Sequence, residues 1–167
     1  LKTLQSAGAR VVNTPDAYVA AANKLLAYSR MAAEGLPIPE TVASEDLKVI
    51  RDFGNHLGGD AVVKPLCGSR GRGVMRLSEL LGTGSRALPL LCQKFVRGSE
   101  QDIRAFVIGD RVVAGMARVS RGIATNISRG GEPLPLKVDE ELRELALRSS
   151  SALGCDICGV DIAVDGD

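Results

Sequence analysis

The 167-residue chain lacks tryptophan, has aromatic residues at only 3% of its positions and contains a single histidine. Its core must therefore be aliphatic, and it is a poor candidate for stacking on single-stranded bases. Lys and Arg number 21 against 20 Asp and Glu, so no excess of charge favours nucleic acid or an anionic membrane as a partner. No apolar run approaches the roughly 18 residues that a membrane-spanning helix needs. We predict a soluble globular protein with no nucleic-acid or membrane partner.

Cysteine is also scarce, and only one pair of the four residues is closely spaced. Cys155 and Cys158 form a CxxC pair. Zinc sites usually need two such pairs, and a redox CxxC usually begins a helix, whereas this pair follows a predicted helix end at Gly154. We interpret the cysteines as buried or incidental thiols in a reducing cytoplasm. Metal or redox use of the CxxC pair is the alternative.

Glycine, with 19 residues, and seven prolines divide the chain into short periodic segments. The length suits one domain or two small lobes that share a cleft. Residues 121–135 are predicted to form a loop, and Gly109-Asp110 a hairpin turn. Mixed helices and antiparallel hairpins predict an α+β fold. The patterns predict helices near 15–33, 44–56 and 139–153, and strands near 9–12, 61–63, 73–77, 89–96, 102–108, 111–119 and 157–164.

The first candidate site is a glycine-rich turn that follows Lys64 and joins two predicted strands. Its sequence is Gly68-Ser69-Arg70-Gly71-Arg72-Gly73. Glycines let backbone N–H groups approach phosphate oxygens closely, and a lysine adds a point charge. The turn is neither a Walker loop nor a Rossmann fingerprint, because a strand follows it where a helix should begin. It indicates a phosphate site, and a hairpin with solvated arginines is the alternative.

Charged residues within apolar strands form the second group of candidates. Asp161 lies in the apolar run 159–162, where a carboxylate is costly unless it is paired or bound to metal. Mg²⁺ takes such oxygen ligands together with phosphates. Arg104, Arg118 and Asn126 could face the same cleft and bind a phosphate or a substrate carboxylate. The alternatives are an Asp–Arg ion pair at a strand edge and surface arginines on a hairpin.

Seven segments, in one order along nearly the whole chain, resemble the ATP-grasp superfamily and, within it, the RimK-like carboxylate–amine ligases. They are 12–15 with Lys24, 35–41, 63–74, 93–96, 101–104, 125–131 and 152–161. The resemblance implies an ATP-grasp fold, in which two lobes with antiparallel sheets hold nucleotide between them. Residues 1–15 would end a preceding domain, 16–94 would form the first lobe and 95–167 the second. The second lobe would be truncated at the C-terminus, before the E-x-N strand of the family.

The resemblance also implies roles for individual residues. Residues 93–96 would form a hinge whose backbone holds adenine, and the turn would cover the triphosphate. Asp161 would be the first of three Mg²⁺ ligands, and the other two would belong to the E-x-N strand. Two departures are Lys94, where the family usually has Glu, and Ala124, where relatives often carry Arg. The implied catalytic residues are Arg104, Arg118 and Asn126, and the implied nucleotide-binding residues are Lys24, Lys64, Gly68, Ser69, Arg70, Gly71, Gly73, Gln93, Lys94, Phe95, Val96 and Asp102.

The implied activity is ATP-dependent ligation of an amino acid, glutamate by resemblance, to a carboxyl group through an acyl phosphate. ATP and Mg²⁺ (or Mn²⁺) would be the cofactors, and the acceptor would be a protein C-terminus or a small molecule. The alternatives are a lysine-biosynthesis or cofactor-glutamylation ligase, and a non-catalytic nucleotide-binding module. We expect a cytoplasmic protein, with a homo-oligomer left open. We expect the 167-residue piece by itself to be weakly active or inactive.

Overall fold

The computed structural model describes residues 1–68, 71–83, 89–96, 101–119 and 132–164. Within these residues two antiparallel four-stranded sheets form, with strand orders β1-β4-β2-β3 and β7-β6-β5-β8. The prediction of an α+β fold is confirmed. The helices are α1 (Lys2–Ser6), α2 (Pro15–Ala22), α3 (Lys24–Ala33), α4 (Leu47–His56), α5 (Leu77–Thr83) and α6 (Glu140–Leu153); the strands are β1 (Thr41–Ser44), β2 (Ala61–Pro65), β3 (Met75–Arg76), β4 (Leu90–Lys94), β5 (Gln101–Ile108), β6 (Arg111–Val119), β7 (Glu132–Pro135) and β8 (Ile157–Ala163).

The first sheet buries one face against α4 and α5. Strand side chains alternate between the two faces of a sheet, and Val63 pairs with Cys92 in register, so both point into the core. Lys64 and Gln93 are one position along their strands and therefore lie on the opposite face. The buried members of this core are Ile50, Ala61, Val63, Leu77, Leu80, Leu90 and Cys92.

The second sheet packs one face on α6, where Ala105 and Val107 are buried against Ala146. Asp139 begins this helix by accepting a hydrogen bond from the Leu142 amide at 2.9 Å, which is a standard N-cap. Gly154 ends it in the left-handed region, with φ of 66°, as the sequence predicts. The face away from α6 carries the charged side chains of Asp102, Arg104, Arg118 and Asp161.

The helix predicted over 15–33 is wrong in one respect, because it is broken at Asn23. This residue is extended, with φ of −100° and ψ of 110°, and its side chain caps α3 by accepting from the Leu26 amide. The next amide, that of Lys24, donates to the carbonyl of Leu66 at 2.9 Å. The residue that follows β2 therefore provides the acceptor that replaces the helical one, and α3 begins beside the glycine-rich turn.

The strand predicted at 9–12 is also wrong, since these residues form no regular element. The Asn13 amide instead holds the start of β8: its Oδ1 accepts from the amides of Asp156 and Ile157 at 2.8 Å each. Its Nδ2 donates to the Ile157 carbonyl at 2.7 Å. These bonds give the segment a fixed place without a strand partner.

Three other element predictions need correction, all for the same reason. The helix predicted over 44–56 begins at Leu47, because Thr41–Ser44 pairs with β4 instead. The strand predicted over 73–77 shrinks to β3, and α5 follows it. The loop predicted over 121–135 ends in β7, which pairs with β6; its residues 121–131 lie outside the described residues. In each case a distant strand or helix determines the local structure.

No helix in the described ranges combines the length and the apolar character needed to cross a bilayer.

Gly54 in α4 provides a test of how closely the first core is packed. A Cβ at this position would lie 2.0 Å from Cδ2 of Leu77, whereas at Gly82 in α5 it would meet nothing within 4 Å. We expect Gly54→Ala to lower the free energy of unfolding by about 1–3 kcal/mol, because overpacking exceeds the gain of roughly 1 kcal/mol in helix propensity. Gly82→Ala should leave stability equal or slightly higher. Urea unfolding followed by circular dichroism measures both, and equal values for the two variants would contradict this packing.

Candidate functional site

A cleft of about 910 Å³ lies between the two sheets and receives side chains from both. Ser69, Arg70 and Asn126 lie outside the described residues, and Gly73 is described but does not line the cleft. The structure thus brings most of the described candidates into one cavity, although they come from distant parts of the sequence. Those that line it are Lys24, Lys64, Gly68, Gly71, Gln93, Lys94, Phe95, Val96, Asp102, Arg104, Arg118 and Asp161.

The side chain of Lys64 extends from the first sheet and is held by another residue of that sheet. Its Nζ donates to Oε1 of Gln93 at 2.6 Å and lies 5.9 Å from the centroid of the Tyr28 ring. Gln93 is only 4% exposed, so this acceptor is fixed in the wall of the cleft. The ammonium of Lys64 is therefore anchored at a defined position on this wall.

Lys24 begins α3 and points back at the glycine-rich turn. Its Nζ donates to the carbonyls of Pro65 at 3.0 Å and Gly68 at 3.2 Å. Burial lowers the pKa of Lys24, and the positive charge of Lys64 lowers it further. Two cations that disfavour each other in a partly buried site are relieved by an anion bound beside them. This pair of lysines is therefore suited to a phosphate group.

The predicted hinge, residues 93–96, is fixed by backbone bonds. The amide of Lys94 donates to the carbonyl of Glu40, and that of Phe95 to the carbonyl of Asp60, each at 2.9 Å. The guanidinium of Arg76 lies 4.0 Å from the centroid of the Phe95 ring, within the range of a cation–π contact. The hinge is thus a rigid edge of the cleft, next to apolar side chains of the segment 36–39.

The second wall carries the charged cluster, which consists of Asp102, Arg104, Arg118 and Asp161. Arg104 pairs with Asp161 through two bonds of 2.6 Å. Arg118 is 2% exposed and makes a bidentate pair with Asp102, with Nε donating to Oδ1 at 2.7 Å. It also donates to Oδ1 of Asp161 at 2.8 Å. The hydrogen bond to Asp161 raises the pKa of Arg104. The Asp–Arg ion pair considered from the sequence is therefore present.

Register and a glycine make the charged cluster possible. Asp102 is directly opposite Arg118, and Arg104 directly opposite Asp161. Gly159, on β8, leaves room for Arg104 to cross, because a Cβ there would lie 3.3 Å from its Cδ and Nε. The four side chains therefore form one network on the cleft face of the sheet.

Among the residues that the structure describes, no group of three His, Cys, Asp or Glu side chains is placed to hold a metal ion. Mg²⁺ typically binds one or two protein carboxylates together with phosphate oxygens and water. Asp161 and Asp102 lie on the same wall, and in this structure the oxygens of both carboxylates accept hydrogen bonds from Arg104 or Arg118, so a metal here would take the place of an arginine contact. The sequence-based assignment of Asp161 as a metal ligand stays a prediction.

The four cysteines are all described, all carry free thiols, and none lines the cleft. Cys155 is buried and Cys67 exposed. Burial raises the pKa of Cys155, and its neighbour Cys158 adds to the effect. The Cys158 thiol donates to Oγ of Ser150 at 3.4 Å. Because thiols with a raised pKa are poor nucleophiles, the interpretation of buried thiols suits Cys155.

Sequence reasoning missed two residues of this site. Tyr28 lines the cleft and lies against Lys64, and Thr41 lies behind Gln93 and accepts a hydrogen bond from its Nε2 at 2.8 Å. Thr41 belongs to a segment that carries the family resemblance, but no role is assigned to it from sequence. The spacing of these residues gives no signal: the contact of Thr41 depends on the pairing of β1 with β4, and the contact of Tyr28 depends on how α3 lies against β2.

Comparison with known proteins agrees with the fold. The family model of the RimK-like ATP-grasp domain matches residues 21–167. N-acetylaspartylglutamate synthase A of Homo sapiens is 32% identical over 179 residues, covering 100% of this chain and 46% of the relative. Alpha-aminoadipate–LysW ligase LysX of Saccharolobus solfataricus is 32% identical over 176 residues, covering 98% of this chain and 64% of the relative.

Solved structures lead to the same fold. The ATP-grasp ligase PsnB, complexed with a minimal precursor, has a TM-score of 0.77 at 25% identity, covering 100% of this chain and 56% of that one. Another PsnB structure, with a TM-score of 0.76 at 23% identity, also contains Mg and ADP and is covered to 53%. The chain spans about half the length of the first curated relatives it matches. Since the family model covers most of its residues, the chain belongs to the family of RimK-like ATP-grasp domains.

Proposed function

We propose that the chain provides the nucleotide site of an ATP-dependent ligase that joins an amino acid, glutamate, to a carboxyl group. One observation carries this proposal: a single cleft holds the lysines Lys24 and Lys64 on one wall and the charged cluster on the other. Phosphoryl transfer requires little covalent work from a protein, which must position the reactants and neutralise charge. A cleft with fixed cations on one wall and a charged cluster on the other can position the reactants and neutralise their charge.

We assign the wall that carries Lys24 and Lys64, called the first wall from here on, to the nucleotide. Lys24 and Lys64 bind phosphate oxygens, and the hinge 93–96 supports the adenine ring. The glycine-rich turn covers the phosphates. Ser69 and Arg70 of this turn lie outside the described residues, and their role remains a prediction. The rigid backbone of the hinge and the lowered pKa of Lys24 support the assignment. In this scheme residues 16–94 act as the first lobe and 95–167 as the second.

We assign the second wall to the transferring phosphate, the metal and the carboxylate substrate. Asp161 would hold Mg²⁺ (or Mn²⁺), which neutralises charge on the phosphates when bound, and Asp102 keeps its proposed place among the nucleotide-binding residues. Arg104 and Arg118, whose guanidinium groups pair with Asp161 and Asp102 in this structure, place positive charge next to the anionic groups bound there. Asn126 lies outside the described residues, and its catalytic role remains a prediction.

The acceptor is proposed only by class, as a small carboxylic acid or the C-terminus of a protein. Two relatives of equal sequence identity carry names that refer to different compounds: one names N-acetylaspartylglutamate as the product, and the other names alpha-aminoadipate and LysW as the groups joined. The degree of sequence identity therefore favours neither class of acceptor. A cytoplasmic location is part of the proposal, supported by the four free thiols, since disulfides are rare in reducing compartments.

Substrate-dependent turnover tests the ligase proposal. The complete gene product that contains this chain is incubated with ATP, Mg²⁺, glutamate and a panel of small carboxylic acids and peptides. We expect ADP and phosphate release only when a carboxylate and an amine are both present. Hydroxylamine in place of the amine should trap the acyl phosphate as a hydroxamate. ATP hydrolysis that ignores both substrates, or no ATP binding, would overturn the ligase assignment. ATP binding without turnover on any substrate pair would indicate the non-catalytic module.

A further inference from the structure

We propose that Gln93 and Thr41 form a relay of positioning residues that aims Lys64 at the nucleotide phosphates, an inference that rests on the proposed function. Family resemblance assigns Gln93 only to the backbone hinge. In the structure its side chain is buried, with 4% exposure, and both ends of its amide are engaged. It therefore acts through its side chain.

Proton counting fixes the direction of the relay. The Thr41 hydroxyl has one proton, which it donates to the carbonyl of Pro39 at 2.6 Å. Its Oγ1 must then accept, and it accepts from Nε2 of Gln93 at 2.8 Å. Oε1 of Gln93 is thereby left facing Nζ of Lys64 at 2.6 Å. A reversed amide would set its NH₂ group against an ammonium that has only donors.

A neutral acceptor suits this position better than a charged one. A carboxylate at residue 93 would neutralise Lys64, whereas the amide oxygen orients the ammonium and leaves its full charge for phosphate. The hydroxyl of Tyr28 donates to the same Oε1 at 3.5 Å, which further fixes the amide. Because a free lysine loses much rotamer freedom when it is immobilised, anchoring before the ligand arrives lowers that cost at binding.

Thr41 makes the relay testable, because it does not line the cleft. Its hydroxyl contacts the cleft through two partners, Gln93 and the carbonyl of Pro39. An effect that passes through Pro39, beside the hinge, would change adenosine binding as well, whereas an effect through Gln93 would change ATP binding alone. The variant Thr41→Val keeps the shape of the side chain but removes the hydroxyl, so Nε2 of Gln93 loses its acceptor and the amide its fixed orientation. Thr41→Ser keeps the hydroxyl and is the matched control.

Dissociation constants for ATP and for adenosine, measured by NMR titration of each variant, test the proposal. We expect Thr41→Val to weaken ATP binding about three- to tenfold, the range of one ordinary hydrogen bond, and to leave adenosine binding unchanged. Thr41→Ser should bind both as the unaltered chain does. Gln93→Glu should also weaken ATP selectively, because its carboxylate neutralises Lys64. Adenosine binding on the same sample shows that the variant is folded.

The outcomes separate this inference from the proposed function. Unchanged ATP affinity in Thr41→Val would overturn the relay alone. An equal loss for ATP and adenosine would also overturn it, since it would show a distorted hinge rather than a misdirected lysine. Failure of the unaltered chain to bind ATP would overturn the nucleotide site and the relay with it.

Discussion

Replacing Lys64 by alanine is expected to weaken ATP binding by at least an order of magnitude. The ammonium is anchored on the cleft wall by Gln93 at 2.6 Å, so it is in place before the nucleotide binds. A hydrogen bond to a charged group contributes about 1.5–3 kcal/mol, and 1.4 kcal/mol corresponds to about tenfold in affinity. Isothermal titration with ATP measures the change.

The matched control for Lys64→Ala is Lys48→Ala. Lys48 lies on α4, has 78% of its side chain exposed and pairs with Asp52 four residues on. The substitution Lys48→Ala changes the net charge of the protein by the same amount as Lys64→Ala, but Lys48 lies outside the cleft. We expect its ATP affinity to stay close to that of the unaltered chain. If both variants bind ATP equally well, Lys64 is not a phosphate ligand and the first wall is wrongly assigned.

The parts of the fold that local pattern determines could be predicted from the sequence. The hairpin of β5 and β6 turns at Gly109, which has φ of 59°, and α6 has its cap signals at Asp139 and Gly154. By contrast β1 and β7 are four residues long and are strands only because β4 and β6 pair with them. Their own sequences contain no alternation long enough to indicate a strand.

The candidate site divides in the same way. Residue types in a familiar order indicated Lys24, Lys64 and Asp161, and the cleft brings all three together. The contacts that orient them could not be predicted, because each depends on strand register between distant residues. Gln93 meets Thr41 across 52 residues, and Arg104 meets Asp161 across 57. The break at Asn23 is an intermediate case: asparagine is a good N-cap, but the carbonyl of Leu66 decides that α3 begins there.

Replacing Arg118 by leucine is expected to destabilise the protein by about 3–5 kcal/mol, the usual cost of breaking a buried ion pair by removing one partner. Arg118 is 2% exposed, and the Asp102 side chain is 14% exposed. The substitution removes two hydrogen bonds from Asp102 and one from Asp161. Asp161 is 44% exposed and keeps its bonds to Arg104, so the loss falls mainly on the less exposed Asp102. The free energy of unfolding follows from urea titration monitored by circular dichroism, since the chain has no tryptophan.

Two further variants decide whether the buried network causes this loss. Arg143→Leu removes an exposed arginine that pairs with Glu140 at 2.9 Å on α6, with side chains 49% and 81% exposed, and should change stability by no more than about 0.5 kcal/mol. The double variant Arg118→Leu with Asp102→Leu should recover part of the loss, because it also removes the carboxylate that the single change deprives of its bidentate arginine. Equal stability of Arg118→Leu and Arg143→Leu would show that the charged cluster is solvated. In that case the second wall could not hold its charges in fixed positions for catalysis.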